Sequence, residues 1–80
     1  MKKSKLKVNE KRLSVRVGKE LKKLRATSEL TQKSLALLID THSTAITRAE
    51  GGKYLPSLRW LQKIAWNTRH KLVIKFEKNK

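Results

Sequence analysis

Eighty residues make one small domain, with a core near the lower limit of what folds unaided. Lysine and arginine number 21 against 6 aspartates and glutamates, a net charge of +15, and that self-repulsion points to a polyanionic partner: DNA, RNA or an anionic surface. The absence of cysteine excludes disulfides and thiolate metal sites and suits a cytoplasmic protein, and no apolar run approaches the ~20 residues of a bilayer span, so no membrane partner is expected.

Residues 1–12 hold six cations (Lys2, Lys3, Lys5, Lys7, Lys11, Arg12) against Glu10, and read as a basic N-terminal arm. Leu6 and Val8 alternate with Lys5 and Lys7 like a short strand. The basic start lacks the apolar stretch of a secretory signal. From Leu13 the period becomes helical, with Leu13, Val17, Leu21 and Leu24 on one face, Asn9 or Ser14 as alternative caps, and a break at Ser28-Glu29. Thr31 is the expected N-cap of a second helix, residues 32–39, turning Leu35, Leu38 and Ile39 inward. Asp40 suits a left-handed turn. A third helix, residues 43–50, is anchored by Ile46, capped from Thr41, His42 or Ser43, and stopped by Gly51-Gly52.

Ser57 then N-caps a fourth helix that buries Leu58, Leu61, Ile64 and Ala65, with Trp60 and Trp66 on different faces. Residues 71–76 alternate like a strand, placing Leu72, Ile74 and Phe76 on one side. A lone strand has no ladder for its backbone groups, so its expected partner is its two-fold twin in a homodimer or the segment 6–8. The fold expected is all-α: a compact bundle of four to five helices over residues 13–70, followed by a short C-terminal β-strand and basic tail, residues 71–80.

Within this frame, Leu24-Arg25, Leu30-Thr31-Gln32, Leu35-Ala36, Ile39, Ile46, Arg48, Glu50, Gly52-Lys53, Pro56, Leu58, Leu61 and Ile64-Ala65 fall at spacings that resemble the phage-repressor and Cro type of helix-turn-helix, the XRE family. The match covers about half the chain without a gap. The resemblance implies a lambda-repressor-like domain in which Arg25 and Glu50 form a structural pair across the first and third helices. It also implies that Gln32 sits near a phosphate. Asp40 replaces the family's usual glycine, Gly51 a frequent asparagine, and Ala49 a larger apolar residue. Ser43 and Thr44 stand where relatives often carry glutamine. The C-terminal strand is similar to that of single-domain antitoxins of the HipB-like kind, which implies a cognate toxin as a candidate partner.

The third helix exposes Ser43, Thr44, Thr47 and Arg48, short polar groups beside one long cation, a surface suited to base edges in a major groove. Gln32, Lys53 and Ser57 are the phosphate candidates. Trp66, Leu72, Ile74 and Phe76 are the dimer-interface candidates. No paired-carboxylate motif, histidine cluster or Gly-rich loop preceding a lysine is present, so the chain is expected to be neither an enzyme nor a metal or cofactor binder. The expectation is a homodimeric, sequence-specific binder of double-stranded DNA, a repressor on a palindromic operator. The alternatives are a basic protein binding RNA or DNA without sequence preference, and a toxin-neutralising adaptor with secondary DNA contact.

Overall fold

The computed structural model describes the backbone of residues 2–78 and the side chains of residues 10–78. Within these the chain is all-helical, with four helices: α1 (Lys2–Thr27), α2 (Gln32–Leu38), α3 (Ser43–Glu50) and α4 (Leu58–Asn67). No strand occurs among the described residues.

Residues 2–12 of the expected arm are instead continuous with the first helix; Met1 lies outside the described residues. Lys, Leu, Arg and Glu are good helix formers, and no proline or glycine interrupts them before Gly18. At ~1.5 Å per residue the 26 residues of α1 run about 39 Å, close to the 41 Å long axis of the molecule. Neither Asn9 nor Ser14 caps this helix; the buried Ser14 hydroxyl donates to the Glu10 carbonyl one turn back, at 2.9 Å. The expected strand 6–8 lies inside α1.

The other caps follow the local chemistry. Thr31 Oγ1 accepts the Ser34 N–H at 2.9 Å, and Ser57 Oγ accepts the Trp60 N–H at 3.1 Å, each satisfying a helix donor that has no partner within its own helix. At α3 the N-cap position falls on His42, whose side chain makes no capping bond. All four helices end alike, with a left-handed residue followed by an N–H that reaches back five residues. These pairs are Glu29 with Leu30 to Arg25, Asp40 with Thr41 to Ala36, Gly52 with Lys53 to Arg48, and Arg69 with His70 to Ala65. Asp40 thus occupies the conformation for which glycine is the usual choice.

The core is small. Leu21, Leu35, Ala36, Ile39, Ile46, Ala49 and Ile64 are buried together, with Leu24, Leu30 and Trp60 packed at its edge. α3 lies in the middle, packed against both α1 and α2. Three residues expected inside are exposed: Leu13, Leu38 and Leu58, the last at 54 %. The small core takes up only a narrow stripe on each helix, so the outer members of each apolar period stay in water. Residues 71–78 follow α4 without helix or ladder.

Candidate nucleic-acid interface

α3 is eight residues long and buries Ile46 and Ala49. Its period therefore leaves Ser43, Thr44, Thr47 and Arg48 exposed together on the opposite side. Among the described residues no carboxylate pairs with Arg48. The guanidinium is thus available to a ligand, next to three short hydroxyls that leave room for a surface to approach closely.

This helix is held from behind by a partly buried polar network. Arg25 Nε and Nη2 both donate to the Glu50 carboxylate, at 2.5 and 3.0 Å, a two-point contact that fixes orientation as well as distance. Arg25 Nη1 donates to the Leu30 carbonyl at 2.9 Å, so the same side chain also ties down the α1–α2 connection. Gln32 Nε2 donates to Glu50 Oε1 at 3.0 Å, and Gln32 Oε1 accepts the Thr47 hydroxyl at 2.8 Å. The Ser43 carbonyl, 3.0 Å away, is an alternative acceptor for that hydroxyl. A reversed amide would turn its oxygen on the carboxylate, so this network selects one orientation.

The Glu50 side chain is only 4 % exposed. Burial alone would push its carboxyl pKa up. Hydrogen bonds from Arg25 and Gln32, with the positive charges of Arg25 and Lys22, outweigh that and leave it below the usual carboxylate range. Donating to the Glu50 carboxylate in turn raises the pKa of Arg25, against a smaller opposing effect of burial. The pair implied by the family resemblance is therefore present, ionised and largely out of water.

Gly18 is a determinant that the sequence reading does not single out. A Cβ at this position would lie 2.5 Å from the Ala49 carbonyl oxygen and 2.6 Å from that of Glu50. α1 thus meets the backbone of α3 directly, and Ala49, fully buried, is small for the same reason. The signal was available, since Gly18 is the sole glycine within the α1 run and a glycine inside a helix otherwise costs stability.

The remaining candidates separate. Lys53 is exposed just past the end of α3. Ser57 is exposed and its oxygen caps α4, which leaves its proton free to donate. Gln32 is committed at both ends of its amide to Glu50 and Thr47. Trp60 packs at the core edge, whereas Trp66 is 77 % exposed. Leu72 is half-buried, and Ile74 and Phe76 are open to solvent. No group of three His, Asp or Glu among the described residues is placed to hold a metal ion, and no helix there is long and apolar enough to cross a membrane. Comparison of the chain with protein-family models, with curated proteins and with solved structures finds no match.

Proposed function

We propose that this chain is a sequence-specific regulator of the helix-turn-helix type, a repressor that binds double-stranded DNA as a homodimer. α2 and the Ile39–His42 turn form the support, and α3 is the element that enters the major groove. The observation that carries this reading is the exposed, unpaired Arg48 with Ser43, Thr44 and Thr47 on a short helix whose back is fixed by Arg25, Glu50 and Gln32. Readout of base edges needs side chains delivered at a fixed angle, and a rigidly backed helix supplies that.

Lys53 and Ser57 supply phosphate contacts on either side of the connection between α3 and α4. Gln32 acts through Thr47, as a positioning residue rather than a free phosphate ligand. The exposed Trp66 and the apolar residues of 72–76 supply the dimer contact, which sets two α3 helices about one helical turn, ~34–36 Å, apart.

Enrichment from a library of randomised duplexes tests the reading. The expected product is a palindrome, bound with a steep salt dependence: for roughly six to ten phosphate contacts, affinity falls ~10³–10⁵-fold between 50 and 200 mM salt. No enriched sequence, with equal affinity for all duplexes and RNA, would favour a protein that binds by charge alone.

A further inference from the structure

The outward face of α1 carries a second line of charge. Arg12, Arg16, Lys19 and Lys23 follow at intervals of four, three and four residues, and all four side chains are exposed. At about 100° per residue this keeps them within roughly 60° of one another around the helix. The centre of the line lies about 130° round from Gly18 and about 170° round from Leu21, on the same helical geometry. Gly18 is where α1 meets α3, and Leu21 is where it enters the core. The cations therefore face away from the contacts that α1 makes through Gly18 and Leu21; Val15, about 70° from the centre of the line, lies against Gly52.

They are offset only in part, by Glu20, four residues after Arg16 and three before Lys23. The ion pairs among the described residues, Arg25–Glu50 and Lys75–Glu77, involve none of the four. Like charges at these spacings destabilise a helix. The line spans ~16 Å at 1.5 Å per residue, the axial length of about five successive phosphates on one strand.

From this we infer that the outer face of α1 is a second nucleic-acid contact. It takes the sugar–phosphate backbone of a duplex other than the one seated on α3, so that the protein bridges two DNA segments. Evenly spaced cations match a linear polyanion, and the planar forks of Arg12 and Arg16 suit phosphate oxygens. A membrane surface fits less well. A helix lying in an interface needs a continuous apolar face free for the lipid, whereas Leu21 of α1 is buried in the core with Leu24 packed against it, leaving Leu13 and Val15 as the exposed large apolar residues among those described in this helix. The word "second" rests on the proposed role of α3; the assignment of the α1 line to phosphate does not.

The test uses the full chain, a bead-bound duplex of its preferred sequence and a fluorescent duplex free in solution. Wild type captures the free duplex on the beads. Replacing all four cations (R12Q, R16Q, K19Q, K23Q), with helical circular dichroism retained, removes about four phosphate contacts and lowers capture at least ~10-fold. Affinity for a single selected duplex, read by anisotropy, stays close to wild type. The pair K19Q, K23Q gives an intermediate loss.

Capture unchanged in the quadruple variant overturns the inference. So does a parallel fall in single-duplex affinity, which would place the α1 line on the same duplex as α3. Stripe-dependent binding to phosphatidylglycerol vesicles with duplex capture unaffected overturns it as well. Arg48→Ala separates the two readings. Loss of sequence preference with capture retained supports both, whereas intact preference sinks the role of α3 and leaves the α1 line to be judged by the quadruple variant alone.

Discussion

The amide oxygen of Gln32 accepts the hydroxyl of Thr47 at 2.8 Å, while the nitrogen of the same amide donates to the buried carboxylate of Glu50. One side chain thus links the exposed face of α3 to the ion pair behind it. Gln32→Leu keeps the bulk and removes both bonds. We expect a stability loss of ~1.5–3 kcal/mol, in the range for a hydrogen bond to a charged group, read by urea melt. Preference for the selected site should also fall, because the Thr47 hydroxyl then keeps only the Ser43 carbonyl of its own helix as an acceptor. Lower stability with preference intact would mean that the link supports the fold alone.

Glu50→Ala strands Arg25, and with the carboxylate nearly excluded from water the expected cost is ~3–5 kcal/mol rather than the ~1 kcal/mol or less of a surface pair. The same group sets the acid limb of stability. Its folded pKa lies below the unfolded value, so its contribution is complete above the ordinary carboxylate range and is lost as pH falls through the lowered folded value. A series of melts from neutral pH downward should show the wild type losing stability over that range, and Glu50→Gln losing less. Identical acid limbs for the two proteins would remove Glu50 from this role.

Gly18→Ala places a methyl group against two backbone carbonyls that cannot yield as a flexible side chain would. The cost is expected at ~1–3 kcal/mol or more, with reduced DNA affinity because α3 must shift away from α1. A wild-type melting curve would show that α1 and α3 separate without strain.

How much of this was legible in the sequence depended on how local the physics is. Thr31, Asp40 and Ser57 announce their roles because a cap or a left-handed turn is decided within a few residues. The pairing of Arg25 with Glu50 came through family resemblance, since nothing local joins residues twenty-five apart. The start of α1 reads as a solvated arm because it holds six cations, yet Lys and Arg are also good helix formers, and the helix runs through them. Leu13, Leu38 and Leu58 fall on the expected inner face yet are exposed, because a helical period shows which face is apolar, not how wide a stripe the small core covers. The position of Gln32 at a helix start suggests a phosphate ligand. Its engagement with Thr47 and Glu50 depends on tertiary packing, which no local pattern records.

Truncation after His70 tests the proposed dimer contact. It removes Leu72, Ile74 and Phe76 and spares every residue assigned to DNA. The helices should persist by circular dichroism while sedimentation shifts toward the monomer. Affinity for a full palindrome should fall steeply and weak half-site binding should remain. A truncated protein that still sediments as a dimer would move the contact to α4, where Trp66 stands exposed.

If α3 reads sequence, the effect is visible in the ratio of affinities for the selected site and a random duplex at one fixed salt concentration. Wild type and Arg48→Ala are compared by fluorescence anisotropy, with Lys53→Ala as the phosphate-contact control. Arg48→Ala should lose about 1–3 kcal/mol on the selected site and little on the random one, collapsing the ratio. Lys53→Ala should weaken both equally and lower the salt slope by ~1. If Arg48→Ala weakens both duplexes to the same extent, Arg48 grips phosphate and α3 is not the reading element.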